Sequence, residues 1–230
     1  KIITIVALFA FVALVSANLA EEIASIRSIP IEKIPSDQTP KAPVFPSNFT
    51  SAFTALESIP GMAPYIVTGF IHLDYEQQKE RVDGVVDGGF VSMVFEFRTR
   101  QNPLGKLSYG VKEIGGDNYC IETPFPFAIV SQNVFSEGDF LGVSNVRGQL
   151  CYVWKISYWG IPMYWYFPVF SVDSFHPVMM VSEVEIMWFT GPHSGSSGSF
   201  DRPCESESRS IKELTKPLLS GALFPTRDLF

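Results

Sequence analysis

The sequence predicts an all-β-dominated fold of antiparallel strands. Three observations predict it. Apolar and polar residues alternate with a period of two over much of residues 64–190. Glycines punctuate those runs where the chain has to turn. No stretch of the same region carries the apolar stripe of an amphipathic helix.

The strands follow in order. In "YIVTGFIHLDY", Val67, Ile71, Leu73 and Tyr75 share one face, and Thr68, His72 and Asp74 the other, giving a strand near 64–76. The charged "DYEQQKER" is its end and turn, leading to a strand near 79–86. Gly84, Gly88 and Gly89 supply the next turn. "GFVSMVFEFRTR" sets Val91, Met93, Phe95 and Phe97 on one face of a strand near 89–99. Two short strands near 105–113 and 117–122 flank Gly115–Gly116. Further strands are expected near 148–158, 162–172 and 176–190.

Residues 161–172 differ, because large apolar side chains occupy both faces. Such a strand must be covered twice, either inside a sandwich or with one face lining an apolar cavity. The cavity reading places Val91, Met93, Phe95, Phe97, Tyr152, Trp154, Tyr164 and Tyr166 around a ligand. Met163, Trp165 and Phe167 then face the other covered side, although the two faces are exchangeable.

The ends of the chain read differently from its body. An apolar run over residues 2–17 ends in Val15, Ser16 and Ala17, the small-residue pattern of a signal-peptidase site, so 1–17 is expected to be a secretory signal. It falls short of the about 20 residues of a spanning helix, and no transmembrane segment is expected in the mature chain. Residues 18–63, with Pro30, Pro35, Pro40, Pro43, Pro46 and Pro60, read as an extended, disordered arm with a short helix near Ser51–Glu57. "NFT" makes Asn48 a glycosylation acceptor in a secreted chain. Beyond Phe189 the chain turns polar and rich in glycine and serine, and 205–230 reads as a C-terminal tail.

Seventeen Lys and Arg against 24 Asp and Glu give a net charge of −7, which disfavours a nucleic-acid partner. There is no phosphate-binding loop, no dinucleotide fingerprint, no HExxH and no GxSxG, so neither an enzyme nor a cofactor is expected. His72, His176 and His193 lack ligand spacing, and no metal site is expected from them. Glu183 and Glu185 read as a solvated strand face. Cys120, Cys151 and Cys204 leave room for one bridge and one spare thiol in an oxidising compartment.

The order of these features resembles the ependymin-related family. The resemblance rests on Asp74, Tyr75, Gln77 and Arg81 in "LDYEQQKER", on the strand ending at Cys120, on Phe135, Gly142 and Trp154, on "FHPVMMV", and on "FDRPC" from Phe200 to Cys204. It spans roughly residues 64–204. His176 stands where the family has a cysteine, and that cysteine's N-terminal partner is absent too. The resemblance implies a LolA-like fold, with curved antiparallel sheets around a deep hydrophobic pocket. It implies a Cys120–Cys204 disulfide, with Cys151 a free thiol. It also implies a secreted or lysosomal glycoprotein, often a homodimer, that binds a lipid-like small molecule. The alternative expectation is an extracellular adhesion or matrix protein, calcium-associated, without such a ligand.

Overall fold

The computed structural model describes residues 21, 23–58, 64–86, 89–113, 118–170, 175–194 and 200. The signal segment 1–17, the tail 205–230 and Cys204 lie outside the described residues. Eleven strands form one antiparallel sheet: β1 (Asn48–Glu57), β2 (Tyr65–Asp74), β3 (Lys79–Val86), β4 (Gly89–Glu96), β5 (Lys106–Glu113), β6 (Asn118–Thr123), β7 (Asp139–Val146), β8 (Gln149–Tyr158), β9 (Ile161–Pro168), β10 (Met179–Val181) and β11 (Glu185–Ser194). The order across the sheet is β6-β5-β4-β3-β2-β1-β11-β10-β9-β8-β7. Two meanders, β1–β6 and β7–β11, are therefore stitched together where β11 pairs with β1.

The all-β expectation holds, realised as one continuous sheet. β1 and β7 were not foreseen, and the single strand expected near 176–190 is two, β10 and β11, parted by a bend at 182–184. The segment read as an arm with a short helix contains β1, which sits at the middle of the sheet. Its alternation buries Phe49, Ser51, Phe53 and Ala55, and a strand with neighbours on both sides is held by two ladders whatever its local propensity. The arm's earlier residues are not loose either. Glu32 exchanges both backbone hydrogen bonds with Val143 at 2.7 and 2.8 Å, which covers the edge strand β7. A helical turn at residues 23–27 sets Ile23 on the outer face among Leu56, Val153 and Ile186, and the Arg27 guanidinium donates to the Glu183 carbonyl.

The sheet is strongly curled. Phe97, just after β4, and Trp159, between β8 and β9, belong to strands at least six places apart in the sheet. A flat sheet would separate them by roughly 30 Å. Their rings instead lie 6.2 Å apart. Gly69 on β2 and Gly84 on β3 face each other on the concave side, and a Cβ on Gly69 would fall 1.8 Å from the Asp83 carbonyl oxygen. Only glycine permits that approach, which lets the first meander bend inward. The concave side is then filled from the connections, by Phe45, Phe125, Val134 and Phe135. Phe135 is fully buried, with Phe45, Trp165 and Phe167 at 5.4, 5.8 and 5.2 Å. No helix among the described residues is long and apolar enough to cross a membrane.

Candidate functional site: an apolar cavity with half-buried acids

The filling of the concave side is incomplete. It leaves a cavity of about 460 Å³, inside the range of about 300–1,000 Å³ typical of small-molecule sites. One wall is a single register row that crosses five strands: Phe49, Leu73, Glu80, Phe95 and Leu107. Period-two alternation turns every second residue of these strands inward, and adjacent strands align those residues. Glu80 is the one charged member of the row. The facing wall comes from the second meander, through Ile156, Met163, Trp165, Met180 and Met187.

The β8–β9 hairpin closes part of this wall. Trp159 and Gly160 adopt φ of 51° and 83°, the left-handed pair that a two-residue hairpin turn requires. Glycine takes this conformation freely, but a bulky indole does so under strain. The indole is held by a hydrogen bond from Nε1 to the Ala128 carbonyl at 3.2 Å and by rings of Tyr158 and Phe127 at 4.2 and 5.0 Å. Both Tyr158 and Trp159 line the cavity.

Carboxyl groups give the cavity its chemistry. Glu80 and Glu185 line it, and Glu57 pairs with Glu185 across β1 and β11. The Ser182 hydroxyl accepts from the Glu185 backbone N–H at 3.0 Å, a local turn that begins β11 at Glu185. Burial among apolar side chains raises Glu80 to about 7. Burial also raises Glu57 to about 7, against a hydrogen bond from Glu185 that lowers it. Glu185 rises well above the carboxylate range, through burial and then the charges of Glu57 and Glu80. Burial likewise pushes the Tyr158 phenol up, with the Glu80 charge adding to it. The two directions are those of a carboxyl pair in which Glu185 keeps its proton and Glu57 gives its proton up first. Among the described residues, no Lys, Arg or His lines the cavity.

Two more polar atoms are stranded nearby. Trp165 is 9% exposed and lines the cavity, and its Nε1 finds no acceptor. Tyr75 is 8% exposed, and its hydroxyl finds no partner, although its ring environment includes the Glu80 charge. Buried polar atoms are seldom left unpaired in a finished interior.

The residues expected around a pocket are divided by the sheet. Phe95 lines the cavity. Met93, Phe97, Tyr152 and Trp154 lie in the same concave-side core, and Val91 alternates with Met93 on that face. Tyr164 and Tyr166 face the other way and pack with Cys151, Val153 and Met179. The register explains this: Trp154 pairs with Trp165 and Ile156 with Met163, so the inward side of β9 is Met163–Trp165–Phe167. The two faces of β9 are thus exchanged relative to the sequence assignment, because both carry large apolar groups and alternation alone does not orient them. Glu185 is a cavity residue rather than half of a solvated pair, while Glu183 lies exposed in the bend before β11.

Other expected sites are placed as follows. Asn48 opens β1 opposite Asp74, partly buried, and its amide nitrogen is oriented to donate to Asp74 Oδ2 at 3.1 Å. Asp74 is buried and accepts from the Gln77 backbone and side-chain amides at 2.9 and 3.0 Å, so the "DYEQ" residues build a turn. Cys120 is disulfide-bonded, and Cys204 lies outside the described residues. Cys151 is a free, fully buried thiol that burial raises to about 11, which makes it unreactive. Among the described residues, no group of three His, Cys, Asp or Glu side chains could hold a metal ion.

Comparisons with known proteins add little to this picture. No family model matches the chain, and no curated protein matches it. Among solved structures, two crystal forms of PNGF-II are similar at 8% identity, with TM-scores of 0.29 and 0.30. Each match covers 66% of this chain, which spans only 29% and 28% of those chains.

Proposed function

We propose that the protein is a secreted, non-enzymatic binding protein that takes a lipid-like or other amphiphilic small molecule into the cavity on the concave side of its sheet. The observation that carries this reading is the cavity of about 460 Å³, walled by aromatic and aliphatic side chains of both meanders. Empty apolar space of this size forgoes contacts that a packed interior would make, and a ligand restores them. Each methylene placed there contributes roughly 0.8 kcal/mol. The unpartnered Nε1 of Trp165, a residue of the cavity wall, supports the reading further, since a ligand could supply its partner. The apolar segment at residues 2–17 supports secretion, and the resemblance to ependymin-related proteins agrees with a lipid-like ligand.

The test is a titration with N-phenyl-1-naphthylamine, a neutral probe that fluoresces in apolar surroundings. Saturable, one-to-one binding by the wild type is expected. Met163→Lys fills the cavity with a charged stem and should lower affinity at least tenfold, with circular dichroism unchanged. Equal binding by a folded Met163→Lys variant would sink the assignment.

A further inference from the structure

The chemistry of the cavity restricts what its ligand can be. We propose that the ligand is a cationic amphiphile, an apolar body carrying a protonated amine that sits against Glu80 and Glu185. This rests on the reading of the cavity as a ligand site and names the ligand class.

A cationic head group complements the cavity wall. A carboxylate-bearing ligand such as a fatty acid needs a countercharge as well as hydrogen-bond donors; among the described residues the cavity wall offers no Lys, Arg or His, and its neutral donors, the Trp165 indole and the Tyr158 phenol, supply none. It offers two carboxyls instead, with Glu57 behind Glu185 and the Tyr75 and Tyr158 phenols near Glu80. A ligand carboxylate placed there would add a further negative charge in a low-dielectric space. An ammonium group relieves the same crowding. It gives each acid the countercharge that the protein withholds, and it satisfies hydrogen-bond capacity that the fold leaves open. Tyr75, whose phenol lies near Glu80, is buried and its hydroxyl has no partner among the described residues. Trp165 Nε1, also unpartnered, donates to an oxygen elsewhere on the ligand. The remaining wall suits a cation too. Trp159, Trp165 and Tyr158 present aromatic rings to the cavity, and such rings attract cations through their negative faces.

The acids also lack the ordinary structural reason for being there. On the opposite face of the same strands, Arg81 meets Asp83 at 2.7 Å, and Lys106 meets Glu122 at 2.7 Å. Glu80 lies between Lys79 and Arg81 in sequence, yet alternation sends both cations to the other face. Both acids are half-buried, and a carboxyl set among apolar side chains without a cation costs stability, an arrangement that clusters at binding and catalytic sites.

The experiment compares three probes with the same twelve-carbon chain on the wild-type protein, by calorimetry or by displacement of N-phenyl-1-naphthylamine. They are dodecylammonium, neutral 1-dodecanol and dodecanoate. The expected order is dodecylammonium first, by at least tenfold over dodecanoate, with dodecanol between them. In Glu80→Gln and in the double variant Glu80→Gln/Glu185→Gln, the ratio of dodecylammonium to dodecanol affinity should fall towards one. Dodecanoate binding as tightly as dodecylammonium would overturn the charge assignment and leave the cavity reading standing. An unchanged ratio in folded variants would overturn it as well. Binding of none of the three chains would overturn the cavity reading itself.

Discussion

The two faces of the first meander treat identical side chains in opposite ways. On the outer face, acids sit beside cations: Lys79 with Glu96 at 3.7 Å, Arg81 with Asp83 at 2.7 Å, and Lys106 with Glu122 at 2.7 Å. Asp83 also accepts from the Ser92 hydroxyl at 2.6 Å. On the inner face, Glu80 has aliphatic and aromatic neighbours along its row and is raised to about 7. One residue separates the two situations along β3. The outer pairs tidy a surface, where an exposed ion pair is worth about 0–1 kcal/mol. The inner acids line a cavity whose described wall carries no basic side chain, and the proposed ligand class rests on that difference.

The largest effect should come from breaking the inner face itself. Phe135→Ala removes the ring around which Phe45, Trp165 and Phe167 gather, and should cost about 3–5 kcal/mol in urea unfolding. Gly69→Val should destabilise by about 1–3 kcal/mol or more, because its side chain meets the Asp83 carbonyl on the neighbouring strand. Curvature would relax with it, so binding of N-phenyl-1-naphthylamine should weaken in the same variant.

Replacing an acid sharpens the contrast between the faces. Glu80→Met should stabilise the unliganded protein at pH 8, by about 1–2 kcal/mol after allowance for the solvent that reaches the cavity. Glu96→Gln on the outer face should change stability by at most about 0.5 kcal/mol. Destabilisation by Glu80→Met would mean that the inner acid has a partner that supports the fold.

The pH dependence has a definite sign. The carboxyls of Glu57 and Glu80 rise from 4.5 to about 7 on folding, so the folded state holds their protons more tightly than the unfolded chain. Their contribution is fully present below pH 4.5 and is lost as pH rises through about 7. Among the described residues, the groups facing them are Glu185, Tyr75 and Tyr158, with no basic side chain on the cavity wall. The melting temperature of the unliganded protein should therefore fall by several degrees between pH 5.5 and pH 8, and less so in Glu80→Gln. A melting temperature that rises over this range would contradict the electrostatics of the inner face.

Much of the sheet was legible in the sequence, and the site was legible only in part. The strands now seen as β2–β6, β8 and β9 announce themselves because one polar face alternates with one apolar face, or because glycines bracket them. β1 did not, since prolines precede it and "NFTSAFTALE" mixes small, polar and aromatic residues in a way that fits a short helix as well. Its strand state is imposed by pairing with β2 and β11, which no local window contains. "DFLGVSNV" in β7 carries a bulge between Phe140 and Gly142 that breaks its alternation. The orientation of β9 stayed open because Met163–Trp165 and Tyr164–Tyr166 are equally apolar pairs. Glu80 and Glu185 were hidden for a plainer reason: charged residues in short strands ordinarily face water. A signal was present all the same, since Glu80 alternates with Val82 while Lys79 and Arg81 alternate with Asp83.

The central claim is that the concave side of the sheet holds a ligand rather than a void. Native mass spectrometry of the protein secreted from eukaryotic cells and purified without detergent tests it most directly. The expected result is a one-to-one adduct of small-molecule mass, retained in native spray and released on denaturation, that carries an amine. A bare chain mass from several expression hosts, together with no uptake of dodecylammonium or dodecanol, would contradict it.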